Sequence, residues 1–285
     1  MRVDRLLRPC LNWPAPLRVL AFLLVLALLW APLAIPLSLL IPDPDWQSVV
    51  TLLVLYGQFI WLVRRWARVA HGEARPLASY GLVRSRNLSQ GAIGFAVGAA
   101  LVFAMFGLEI LLGWANWLGP GIGFPRQVLD GLLVGLGIGF AEELLFRGWM
   151  LDELERDYRW NQALWGNALV FALLHFLKPL AEVLRTWPQF FGLVLLGLIM
   201  GLAKRATQGR LGLAMGLHGG LVGGYYWLNV GELVDFTQRV PDWVTGVDRN
   251  PLAGLVGLVF LTGMAGVLGW MGDRPVSEES AAVGN

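Results

Sequence analysis

The chain carries eight long apolar runs, roughly at 18–41, 46–63, 91–113, 128–150, 161–178, 188–204, 210–230 and 251–271, each near the ~20 residues that a helix needs to cross a bilayer. Runs of that length predict an all-α fold, a polytopic transmembrane helix bundle of about eight spans. Composition agrees: 56% of the 285 residues are hydrophobic and 15% charged, against roughly 25% charged in an ordinary soluble domain. A single cysteine, Cys10, excludes a disulfide framework or a cysteine metal site. No basic stripe with interleaved aromatics occurs, so nucleic acid is not an expected partner; the lipid bilayer is. Trp13, Trp46, Trp66, Trp114, Trp117, Trp160, Trp187, Trp243 and Trp270 sit near the ends of the runs, as in an interfacial aromatic belt.

Residues 1–272 read as one integral-membrane domain, and 273–285 as a disordered polar tail. The first run follows Arg2, Arg5 and Arg8, but it is too long for a signal-peptide core and reads as a retained anchor. Positive charge sets the topology. With a cytoplasmic N-terminus, that side receives Arg2, Arg5, Arg8, Arg18, Arg64, Arg65, Arg68, Arg75, Arg84, Arg86, Arg156, Arg159, Lys204, Arg205, Arg210 and Arg274. The opposite side receives Arg126, Lys178, Arg185, Arg239 and Arg249. An even number of spans then places both termini in the cytoplasm, in a multi-pass protein of the plasma or another internal membrane.

Against this apolar background the polar groups can be sorted. Glu109 and Asp130 are expected as interfacial or cap residues, and His71 as a solvated residue of a basic loop. Asn167 can bond across helices. Glu142, Glu143, Arg147, His175 and His218 remain, and a carboxylate at the middle of a membrane helix costs at least about 2.5 kcal/mol. At 1.5 Å per residue, Glu142, His218 and His175 lie about 13, 12 and 16 Å from the cytoplasmic ends of their spans, so they can share one layer. Glu143 and Arg147, four residues apart, are neighbours on one face, while Glu142 points about 100° away. Glu143 and Arg147 are thus expected to form a buried pair. Glu142 is left to work with the histidines, poised as a general base for water.

Three motifs add a resemblance. "EELLFR" (Glu142–Arg147), "FALLH" (Phe171–His175) and "GLHGG" (Gly216–Gly220) follow in the order and spacing of E-E-x-x-x-R, F-x-x-x-H and a third-motif histidine. In that respect the chain resembles the CAAX protease and bacteriocin-processing (Abi-type) intramembrane glutamyl endopeptidases, over a motif core at 125–230. The resemblance implies hydrolysis of a peptide bond in a membrane-associated protein or peptide. Glu142 would activate water with His175, and His218 would hold the substrate carbonyl or its oxyanion. Glu143 and Arg147 would support the helix. It implies no cofactor and no metal, although one Glu and two His are donors that a zinc site can use.

One position departs from the pattern. Many members have H-x-x-x-N in the third motif, with the Asn sharing the oxyanion task; here Val222 stands there, and Asn167 and Tyr225 are the two candidates to stand in. Losing one oxyanion donor typically costs about 10²–10³ in rate. Two other classes compete: an inactive membrane chaperone or scaffold that kept the motifs, and a transporter. No inverted repeat appears, and the polar groups cluster at one depth, which disfavours transport.

Overall fold

The computed structural model describes residues 9–273. Arg2, Arg5, Arg8 and Arg274 lie outside the described residues, as does the expected disordered tail from 274 onward. Each of the eight apolar runs lies on a long helix: α1 (Ala15–Leu40), α2 (Pro44–His71), α3 (Arg84–Leu111), α4 (Phe124–Glu143), α5 (Trp160–Leu174), α6 (Gln189–Ala206), α7 (Gly212–Asn229) and α8 (Leu255–Gly272). Among the described residues five helices (α1, α2, α3, α6 and α8) are long and apolar enough to cross a membrane. The other three are those that carry the motifs. Arg126, Asp130, Glu142 and Glu143 break the apolar run of α4, α5 has only 15 residues, and α7 is rich in glycine.

Among the described residues the fold departs from purely helical at one point. β1 (Ala115–Trp117) and β2 (Val234–Phe236) pair antiparallel, with Ala115 opposite Phe236. They follow α3 and α7, and the pairing satisfies backbone groups of two connections that run side by side.

α7 is central because it has almost no side chain on two faces. A Cβ at Gly216 would stand 2.1 Å from the Gly91 carbonyl oxygen of α3, and one at Gly135 of α4 would stand 2.3 Å from that of Gly219. The backbones of α3, α7 and α4 therefore touch, as small-residue seams allow. α5 meets α6 in the same way, Gly197 lying against Ala168.

After Glu143 the fourth helix widens. Leu144–Met150 is a π-helix, and Leu151–Glu155 returns to α. A widened turn leaves carbonyls poorly bonded within the helix, and side chains of neighbouring helices take two of them. Asn167 Nδ2 donates to the Phe146 oxygen at 2.8 Å, and Lys204 Nζ donates to the Arg147 oxygen at 2.6 Å. Lys204 also pairs with Asp152.

The end of this helix holds down α1 and α2. Phe22 stacks on Trp149 with ring centroids 3.9 Å apart, and Trp66 meets Trp149 edge-on at 5.8 Å. Beside them Glu153, fully buried, accepts from Arg18 Nε at 2.9 Å, Trp66 Nε1 at 2.8 Å and His71 Nε2 at 2.5 Å. Burial pushes the Glu153 carboxyl up, but the hydrogen bonds from His71 and Trp66 and the charges of His71 and Arg18 outweigh it and hold it below its ordinary range. Two expectations are corrected here. His71 is not a solvated loop residue but the last residue of α2, recruited by a buried carboxylate. Trp66 is not interfacial, because its indole N–H serves that same carboxylate.

Glu109 is corrected as well: it is 2% exposed, facing inward from the end of α3 instead of lying at an interface. Asp130 does sit at the surface, 3.6 Å from Arg126 one turn earlier.

Candidate active site

Glu142 and Glu143 end the α-helical part of α4, one step before it widens. Their side chains diverge by about the 100° between neighbouring helix positions. Glu143 turns inward and is fully buried. Its Oε1 accepts from Arg147 Nη1 at 3.1 Å and from His218 Nδ1 at 2.8 Å. Arg147 Nη2 continues to the Gly197 carbonyl at 3.1 Å, and its guanidinium lies 4.4 Å from the centre of the Phe171 ring. Arg147 thus ties α4 to α5 and α6, and it pairs with Glu143 as the spacing suggested.

Phe171 is the hub of the site. Its ring meets Phe146 edge-on at 5.0 Å, His175 at 4.5 Å and His218 at 6.1 Å. Its carbonyl accepts from His175 Nδ1 at 2.8 Å, and His175 caps the C-terminal end of α5.

These contacts decide where the imidazole protons sit. A backbone carbonyl only accepts, so His175 Nδ1 carries a hydrogen. The Glu143 carboxylate, paired to Arg147, also accepts, so His218 Nδ1 carries one too. Both Nε2 atoms remain uncommitted, and both face the same oxygen. Glu142 Oε2 lies 3.9 Å from His175 Nε2 and 3.8 Å from His218 Nε2. Those gaps exceed direct hydrogen bonds and suit groups bridged through one small molecule. The Glu142 and His175 side chains are 29% and 34% exposed and His218 only 4%, so the cluster opens on one side and is closed at its back. One carboxylate and two imidazole nitrogens are also zinc-type donors, but among the described residues no group of three or more His, Cys, Asp or Glu is arranged to hold a metal.

Of the supporting residues, Asn167 is fully buried and directs its amide N–H to Phe146, so its task is to brace the π-turn. It does not stand in at position 222. Val222 and Tyr225 line a cavity of about 120 Å³ together with His218. The cavity is otherwise mostly apolar, with Met105, Leu196, Leu261 and the segment Asn250–Leu252 in its wall. Sequence reasoning missed two participants. Lys204 counted only as a topology charge, and Gly197 acts through its backbone. No spacing in the sequence links either of these to the motifs.

With this geometry in place, comparison with known proteins becomes informative. Residues 124–223 match the type II CAAX prenyl endopeptidase Rce1-like family. The match begins at the first residue of α4 and ends within α7, so it takes in every residue of the Glu–His cluster. It agrees with the resemblance carried by the three motifs, and over this segment the chain is similar to that family. Together with the five apolar helices, the match makes the chain an integral membrane protein. No curated protein and no solved structure matches it.

Proposed function

We propose that the chain is an intramembrane endopeptidase that hydrolyses a peptide bond in a membrane-associated protein or peptide, with Glu142, His175 and His218 as its catalytic residues. The bundle then has about eight spans with both termini cytoplasmic. The observation that carries this reading is the convergence of two uncommitted imidazole nitrogens on one carboxylate oxygen.

In the proposed reaction a water between Glu142 and His175 gives one hydrogen bond to each. Neutral His175, its Nδ1–H fixed on the Phe171 carbonyl, accepts at Nε2 and orients the water. Glu142 removes the proton as the water oxygen bonds to the substrate carbonyl carbon. His218, held by the Glu143 carboxylate, acts in its protonated form, and its Nε2–H donates to the oxyanion that develops. Glu142 then returns the proton to the departing nitrogen as the C–N bond breaks, leaving a new carboxyl and a new amine. Glu143 and Arg147 keep His218 and the helix in place and stay out of the proton transfers.

The deciding experiment compares membrane peptidomes of cells producing the wild-type chain or Glu142→Gln. Fragments that accumulate only with the wild type support the proposal. Identical peptidomes from equally abundant proteins overturn it. In that case a scaffold that retained the motifs, consistent with an apolar Val222 where the motif pattern often has an amide, becomes the better reading.

A further inference from the structure

We propose that Asn250, outside all three motifs, is a catalytic residue that supplies the oxyanion donor absent at Val222; this rests on the endopeptidase reading above. Asn250, Val222 and His218 line the same cavity. The Asn250 Oδ1 accepts from the Leu252 backbone N–H at 3.0 Å. That bond fixes which end of the amide is oxygen, and it commits the acceptor. The two hydrogens of Nδ2 donate to no other protein group among the described residues. Asn250 shares a cavity wall with His218, reaching it from a different segment than the motif does, and an amide N–H is the chemistry an oxyanion requires.

The segment is built to hold one position. Pro251–Ala253 forms a 3₁₀ turn capped by Asn250. It is wedged between α6 and α8: a Cβ at Gly192 would stand 2.3 Å from the Leu252 carbonyl oxygen, and one at Gly257 would stand 1.9 Å from that of Pro251. Just before it, Asp248 and Arg249 adopt φ of 58° and 59°. Left-handed backbone at two consecutive non-glycine residues is costly and persists where surrounding contacts impose it, often beside functional groups. Here Asp248 pairs with Arg185, and Arg249 Nη2 lies 3.5 Å from Asp235 Oδ1 of β2. A donor placed on a clamped turn meets the reacting oxygen without reorganising.

The test uses membranes containing the full chain and follows the rate of release of those fragments whose appearance depends on Glu142. Asn250→Asp keeps the acceptor for Leu252 N–H and removes the donor. Asn250→Ala removes both. Both variants are expected to slow release about 10²–10³-fold, with KM nearly unchanged, and only the alanine variant should also lose thermal stability. Val222→Asn, added to Asn250→Ala, should restore at least about tenfold, because it returns an amide to the same cavity. If Asn250→Asp releases fragments at the wild-type rate, Asn250 is only a cap and the proposal falls. It falls equally if Val222→Asn restores nothing. Failure of Glu142→Gln to stop release would instead sink the underlying endopeptidase reading.

Discussion

Glu142 and Glu153 sit eleven residues apart on one continuous helix, on either side of its widened turn, and their surroundings differ in kind. Glu153 is saturated: a guanidinium, an indole and an imidazole all reach it, and the Arg18 Nη2 also bonds its backbone carbonyl at 3.0 Å. Glu142 Oε2 is buried as an atom, yet has no hydrogen-bond partner and only two nitrogens beyond bonding distance. A carboxylate that accepts three hydrogen bonds, one of them from a guanidinium, is a fastener, since its charge is neutralised and its geometry fixed. One left unsaturated, at a cost the fold must offset elsewhere, retains the capacity to accept a proton. Between these two residues burial alone does not separate the roles; the number of hydrogen bonds each carboxylate accepts does.

That contrast can be broken most decisively at Glu142. Glu142→Gln is expected to lower fragment release by about 10²–10⁴-fold while leaving thermal unfolding of the purified protein close to wild type. Release should survive chelators, and its complete loss with EDTA would bring a metal into the mechanism. Glu153→Ala should do the reverse, removing the buried carboxylate that Arg18, Trp66 and His71 share and leaving Arg18 only its pair with Asp157, at a cost of up to about 3–5 kcal/mol, read as a lower midpoint of unfolding and reduced abundance. Arg147→Ala belongs with Glu153→Ala in size, but it should also weaken activity, because Glu143 then loses the partner that helps it hold His218. If Glu142→Gln and Glu153→Ala fall together in both assays, the distinction drawn from saturation is wrong.

The pH dependence of Glu153 gives a smaller effect. Its carboxyl is held below the ordinary range in the fold, so its stabilising contribution is present above the unfolded value of about 4.3 and fades as pH drops through the lower folded value. The stability gap between wild type and Glu153→Gln should therefore be full at neutral pH and narrow in acid. Smallest of all, Arg126→Ala removes an exposed pair with Asp130 and should change stability by no more than about 1 kcal/mol.

How far the sequence discloses this depends on the kind of interaction. Apolar length located all eight long helices to within a few residues at most ends, since each long run must bury or face lipid along its whole length. It was least informative where helices pack through backbone: the run at 210–230 gave the position of α7, but its two glycine seams emerge only when α3 and α4 are placed against it. The i,i+4 pair of Glu143 with Arg147 was legible because both partners share one helix. His71 and Trp66 were not, because their shared partner Glu153 is more than eighty residues away. Asn250 was hidden for a further reason, as its position depends on a clamped turn with no periodic pattern.

The widened turn lies between these two carboxylates. A π-segment accommodates one residue more than the α-helical path on either side would, at nearly the same total rotation, so it works as a slack loop in the middle of a rod. Deleting one residue between Leu144 and Met150 would let the rod close to regular pitch and leave Glu153 facing close to where it faces now, toward Arg18, Trp66 and His71. What would be lost are the carbonyls that the wide turn frees: those of Phe146 and Arg147 would bond within the helix, and Asn167 and Lys204 would lose their acceptors. The extra residue in that sense separates two tasks, since the anchor and the reactive centre stay in register while the backbone between them is opened to the neighbouring helices.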